Sequence, residues 1–373
     1  MSVQIKEVKT RRELKLFIQF PHTLYRGNPY WVPNLFSDDL NTLRWDKNPA
    51  FAHCKARYWL AYVNGHIAGR IAAIMNNAHI EKWGQHYMRF GWFDFIDDPA
   101  VSTALLKQVE NWALEESKTA VHGPLGFTDL DREGMLVEGF EELGTLATIY
   151  NYPYYPEHLE NAGYIKDTDW VEYEITIPTE INGTITRVAE TAAQRSKVHL
   201  LEPRNKKEML KYADQLFEVL DEAYQDLYSV VPLTPAQRKA YTKQYFGFIT
   251  PDFVPIVLDE NDRLVAFGIS MPSLSFALQK SGGKLFPFGF IHLLRAFKKN
   301  KKADLYLIAV RRSYQGKGIN AIMMDRILKV FHEHGILSVE SNPELETNRQ
   351  VQAQWKFFNT RQHKRRRCYI RHL

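Results

Sequence analysis

Six residues carry the plainest chemistry in this chain of 373: Gln315, Gly316, Lys317, Gly318, Ile319 and Asn320. An apolar run ending at Ala309 and Val310 leads into them, and a stretch with helical periodicity, Asn320 to Gly335, follows. A strand, a glycine turn and a helix start together make an anion site. The first helical N–H groups have no partner, and the helix dipole favours negative charge there. Gly316 and Gly318 let the backbone approach a ligand closely. Arg311, Arg312 and Lys317 add positive charge, so the N–H groups from Gln315 to Asn320 would cradle a pyrophosphate. A plain strand-to-helix turn is the alternative.

Two further groups of side chains could move protons. Glu340 closes the run Ile336 to Ser341, and Glu346 follows in the next loop. Either could act as a general base, with Asp304 a weaker third. Tyr369 and Tyr314 are the candidate acids. Earlier in the chain lies a dense polar patch containing His122, Asp129, Asp131, Glu133, Tyr150, Asn151, Tyr154 and Tyr155. Asp129, Asp131, Glu133, Tyr150, Asn151 and Tyr155 form a candidate binding site for a cationic amine. Turn chemistry explains the same acids equally well. The histidines at 53, 66, 79 and 86 lack metal-like spacing, so no metal is expected.

The elements that must position these groups recur in order. Residues 57–77 read as a hairpin around Asn64-Gly65, followed by a strand at 87–96 and a helix opening at Asp97-Asp98-Pro99. A strand, a short helix and a last strand close the unit near Pro178. The second half repeats the succession: a hairpin at 253–271, a strand at 303–310, the loop, its helix, a strand, a short helix and a final strand from Arg365. The reading is an α/β chain of two tandem units, 1–178 and 179–373, each a mixed twisted sheet flanked by helices. Residues 273–302 fit neither copy and form an insertion that turns from aromatic to basic.

Composition sets outer limits. A length of 373 suits two domains. The net charge of +5 permits an anionic ligand without demanding nucleic acid. Two cysteines, Cys54 and Cys368, exclude a disulfide framework. With no apolar run long enough to span a bilayer, the expected location is the cytoplasm, with the inner face of the membrane as the alternative.

The stretch from Val310 to Leu328 resembles the acyl-CoA-binding signature of the GNAT superfamily of N-acyltransferases: Gln or Arg, two residues, Gly, one residue, then Gly or Ala. Gln315 and Gly318 fit, and Asn320 departs at the last position. The resemblance runs from about Phe253 to the C-terminus. It implies coenzyme A or acyl-CoA as donor, held by Ala309, Val310, Arg311, Gln315, Gly316, Lys317, Gly318, Ile319, Asn320 and Asn348. It also implies a tyrosine acid seven residues after Asn348, where this chain has Trp355. At the matching joint of the first half, Asp97, Asp98 and Pro99 would repel pyrophosphate, so only the second unit is expected to bind the donor. Paired units with one donor site resemble N-myristoyltransferases and Fem-type aminoacyl ligases. The stretches 69–79, 123–140 and 150–164 resemble a bacterial family of two-unit GNAT proteins that includes acyl-CoA-dependent ceramide synthases. The expectation is an N-acyltransferase acting on a small-molecule or lipid amine. The rivals are a Fem-like aminoacyl transferase and a non-catalytic coenzyme A-binding protein. The insertion is read either as a lid or as a surface resting on anionic lipid, with Leu285 to Phe297 over an apolar channel and Lys298 to Lys302 toward the membrane.

Overall fold

The computed structural model describes residues 2–373 except Asn182, Arg204 and Phe246. In the first half, strands β1 (Gln4–Glu7), β2 (Cys54–Val63), β3 (His66–Asn76), β4 (Tyr87–Phe95), β5 (Ala120–Gly123), β6 (Met135–Glu138) and β7 (Ile165–Thr176) appear. The second half adds β8 (Val198–Leu200), β9 (Ile256–Asp259), β10 (Leu264–Pro272), β11 (Lys302–Val310), β12 (Ser338–Glu340), β13 (Glu344–Leu345) and β14 (Asn359–His372). The expected hairpins are present: β2 pairs with β3 across Asn64-Gly65, and β9 pairs with β10. Asn64 and Gly65 both take positive φ, as a two-residue hairpin turn requires.

One sheet runs through the whole molecule in the order β1-β2-β3-β4-β5-β14-β7-β12-β11-β10-β9-β8. β14, the last strand of the chain, lies between β5 and β7 of the first half. β7, the last strand of residues 1–178, pairs on its other side with β12 of the second half. The closing strands are thus exchanged between the halves, and the sheet is continuous across the 178/179 boundary. Charge favours this pairing. Arg365 and Arg367 of β14 reach Asp169 of β7 at 3.2 and 2.8 Å, and the buried Arg366 bonds Glu172.

Helices cover both faces. The helix Pro99–Glu115 packs Val101, Leu105, Val109 and Trp112 into a core with Phe90, Phe95 and Tyr369. The helix Ile319–Glu333 does the same in the second half, with Leu328 and Phe331 against Ile175 and Val339. The insertion folds as two helices, Ser275–Ser281 and Gly289–Lys298, ahead of β11.

Candidate active site

β11 and β12 run parallel only from Lys302–Ser338 to Asp304–Glu340, after which β11 continues to Val310 without them in register. The strands splay, and among the described residues no strand covers that edge of β11. Side chains cover it instead. The carbonyls of Tyr306, Ile308 and Val310 accept from Asn342 Nδ2 at 3.2 Å, the Tyr224 hydroxyl at 2.9 Å and Gln315 Nε2 at 3.1 Å. At Tyr306 the pairing with β10 skips one residue, because Ile269 faces Leu307 and Ser270 faces Leu305. Such a bulge re-aims the side chain.

The glycine loop follows at the far end of this edge. Gly316 and Gly318 have φ of 73° and 81°, the left-handed region that glycine adopts freely. Gly318 is the N-cap of the helix Ile319–Glu333, and no side chain caps it. Gln315 N–H and Lys317 N–H are used within the turn, at 3.3 and 3.4 Å. The N–H groups of Gly316, Gly318, Ile319 and Asn320 have no acceptor among the described residues. The expected cradle therefore narrows to four donors.

The charges around the loop differ from the sequence expectation. Arg311 is buried, donates to Leu264 O at 2.7 Å and pairs with Glu222 at 2.9 Å. Arg312 is committed to Glu222 and Asp226. Both arginines brace the loop on the helix Ala213–Tyr224 rather than face a ligand. Lys317 stays exposed, its ammonium 5.2 Å from the Tyr314 ring. Ala309 and Val310 are buried strand residues, and Asn348 caps the turn at Arg349 by accepting from Val351 N–H at 3.4 Å.

A cavity of about 360 Å³ lies between the halves. Its polar wall belongs to the first half and includes Asp129, Asp131, Glu133, Tyr150, Asn151 and Tyr155, together with Asp38, Asp39, Arg70, Asp94 and Arg132. All six side chains expected to receive an amine thus line one space. Their duties differ. Asn151 holds Leu136 through two hydrogen bonds, and Tyr155 bonds Tyr25 at 2.9 Å and accepts from Phe95 N–H at 3.1 Å. Tyr150 donates to Phe140 O at 3.1 Å. Asp131 accepts from Phe127 and Thr128 N–H at 2.8 and 3.2 Å, so turn chemistry and cavity lining coincide in one residue. The Glu133 carboxylate has no hydrogen-bond partner among the described residues. Burial pushes Asp129 and Asp131 up to about 6. Burial, reinforced by Asp129 and Asp131, holds Glu133 well above the usual carboxylate range.

The opposite wall is apolar and comes from the second half: Leu216, Phe217, Leu220, Val254, Ile256, Ile269, Met271 and Leu307. The two walls meet at Tyr306, Asn342 and Pro343, on the splay itself.

The expected catalytic residues lie elsewhere. Glu340 accepts from Lys364 and sits 3.5 Å from His363; burial works to raise it, and Lys364 and His363 together hold it low. Glu346 is tied to Lys166 at 2.6 Å and Arg365 at 3.3 Å. Tyr369 went with the exchanged strand into the first-half core, where it donates to Glu160 at 3.1 Å. None of the three lines the cavity. Trp355 donates its indole N–H to Glu344 at 2.8 Å, and burial pushes Glu344 up to about 7. Tyr306 is the phenol that the sequence reading missed. A bulge in β11 brings it to the cavity, and no local pattern marks it.

The fold also brings the buried His122 and Cys368 together with the exposed Asp167, from β5, β14 and β7. The Tyr228 hydroxyl lies among them, 2.5 Å from Asp167 and 3.4 Å from the other two.

Known proteins resemble this chain in sequence and in fold. Residues 214–358 fit the acetyltransferase (GNAT) family model. The Escherichia coli (strain K12) protein YghO is 27% identical over 99% of this chain and 95% of its own length. The bacterial ceramide synthase of Caulobacter vibrioides is 28% identical over 84% of this chain and 82% of its own. A tandem GNAT protein from the clavulanic acid biosynthesis pathway superposes with a TM-score of 0.56 at 12% identity, covering 100% of this chain and 98% of that one.

Proposed function

We propose that this chain, whose residues 214–358 fit the acetyltransferase (GNAT) family model and whose fold resembles a tandem GNAT protein, transfers an acyl group from acyl-CoA to an amine held in the cavity between its halves. The fit of residues 214–358 to the acetyltransferase (GNAT) family model supports acyl transfer, with acyl-CoA as donor. The observation that carries the reading is the meeting of three things at Tyr306 and Asn342: the edge of β11 that side chains rather than a strand cover, an acidic wall and an apolar wall.

The donor's pyrophosphate rests on the four free N–H groups of the glycine loop. Its pantetheine arm follows the edge of β11 and exchanges hydrogen bonds with the side chains that now cover it. The thioester then lies beside Tyr306. An ammonium ion is attracted to Asp129, Asp131 and Glu133. Glu133 is free of other partners among the described residues, and burial raises it well above the usual carboxylate range, so it is the stronger base and the group to take the proton. The neutral nitrogen attacks the thioester carbonyl carbon, the C–S bond breaks, the thiolate takes a proton from Tyr306 and leaves as coenzyme A, and the proton shed by the new amide nitrogen restores the Tyr306 hydroxyl. The apolar wall suits a long acyl chain or a long-chain amine. The similarity to a protein named ceramide synthase supports a lipid amine as acceptor class.

The test pairs short, medium and long acyl-CoA with soluble amines and long-chain lipid amines, reading released thiol and acylated product by mass spectrometry. Product from an amine, with long chains preferred, is the expected result. Coenzyme A binding without thiol release from any pair would overturn the reading in favour of a non-catalytic binder.

A further inference from the structure

The insertion, residues 273–302, contains seven basic residues and no aspartate or glutamate. Its two helices leave a cluster of large apolar side chains in solvent. Phe276, Phe286, Phe288, Phe290 and Leu294 are 63, 78, 70, 41 and 56% exposed. Phe290 and Leu294 stand one helical turn apart, with Arg295 and Lys298 beside them. Lys280, Lys284, Arg295, Lys298, Lys299 and Lys301 form no ion pair among the described residues. Only Lys302 does, with Glu174 at 3.0 Å. Burying such a patch in water-free surroundings is favourable, and an acid-free basic rim selects a negatively charged partner.

The inner side of the same segment is firmly seated. Leu274, Leu278, Leu285 and Phe297 pack with Val32, Leu35, Met271 and Tyr306. Gln279 donates to Pro29 O and Trp31 O at 2.8 and 3.0 Å, and Gly283 O accepts from Phe36 N–H at 3.0 Å. Val32, Leu35, Met271 and Tyr306 line the cavity, whereas no residue of the insertion does. The insertion is therefore an outer layer fixed to the cavity wall.

We infer that this face docks on the surface of an anionic phospholipid bilayer. The phenylalanines enter the headgroup boundary, the free lysines and Arg295 meet the lipid phosphates, and the cavity wall comes to lie just above the membrane. Docking does not depend on the transfer reaction. It is measured on the full chain with neither donor nor acceptor present.

The experiment is flotation with vesicles of phosphatidylcholine alone and of phosphatidylcholine mixed with phosphatidylglycerol, at low and high salt. Wild-type protein should float with the mixed vesicles at low salt and be released by high salt. R295Q/K298Q/K299Q/K301Q should weaken that association by at least about tenfold. F286S/F288S/F290S should abolish it, and its side chains are exposed, so unfolding is not expected. Circular dichroism and coenzyme A affinity unchanged in both variants keep the result interpretable. Wild-type protein that ignores mixed vesicles at low salt would overturn the inference. So would association that survives the phenylalanine changes, or a dimer by light scattering that F286S/F288S/F290S converts to monomer without any vesicle binding.

Discussion

Two strand-to-helix joints in this molecule share one architecture and differ in a single respect. After β4, the helix Pro99–Glu115 opens on Asp98, whose carboxylate accepts from Ala100 N–H at 2.9 Å. Asp97 pairs with His158 at 2.9 Å. After β11, the helix Ile319–Glu333 opens on Gly318 and carries no side-chain cap. The splays beside the joints differ in the same sense. In the first half the chain's own Leu125 donates to Phe90 O at 2.7 Å and fills the gap, while in the second half Asn342 bridges it through a side chain. One joint supplies its own anion; the other leaves its donors unpaired among the described residues. Two similar joints thus differ in which N–H groups they satisfy internally.

The sharpest test of that division is Glu133→Gln. It removes a proton acceptor from the first-half wall and leaves the second-half loop intact. The turnover number should fall on the order of 100-fold or more, with coenzyme A affinity unchanged. A lowered affinity with normal turnover would place Glu133 on the donor side and break the comparison.

Next is Asn320→Glu. Gly318 is a poor place for the charge, because its φ is 81° and a Cβ there would meet Ala192 at 3.0 Å. Asn320 is exposed on the first helical turn, where an acid is tolerated by the helix itself. Calorimetry should show coenzyme A bound about 2 kcal/mol more weakly by a variant of normal stability. Unchanged affinity would move the pyrophosphate away from this loop.

The buried carboxyls give a pH test. Burial pushes Asp304 up to about 7 from an unfolded value near 3.8, with Glu340 adding to it. A raised carboxyl contributes stability that is fully present below its unfolded value and lost as pH rises through its folded value. The melting temperature should therefore fall as pH rises from near 3.8 to about 7 and then level off, and Asp304→Asn should flatten that fall. A steeper fall in the variant would contradict the assignment.

The smallest expected effect is Asp98→Ala, which deletes the first-half cap. It should cost about 1 kcal/mol by chemical denaturation. Coenzyme A should still bind at one site per chain; a second site gained on removing Asp98 would show the carboxylate alone keeps that joint closed.

Much of this was legible in the sequence because it rests on local rules. Asn64-Gly65 names a hairpin, Asp98-Pro99 names a capped helix start, and Gln315 to Gly318 names a turn that only glycines pass through comfortably. The acidic patch was visible too, although its conversion from turn residues into one wall of a cavity was not. The insertion's aromatic-to-basic change was read as lid or lipid surface, and only the fold separates its seated inner side from its exposed outer one.

What the tertiary structure alone decided involves residues far apart in the chain. β14 continues from the second half, yet it lies between β5 and β7, because its arginines find Asp169 and Glu172 there and its apolar side chains find the first-half core. That exchange carried Tyr369 away from the glycine loop and surrounded Glu340 with Lys364 and His363. The bulge that presents Tyr306 depends on how β10 and β11 register, which no short window encodes. Local propensity fixes where elements begin and end. Which edges pair, and so which side chains meet in a cavity, follows from summed burial and charge over the whole chain.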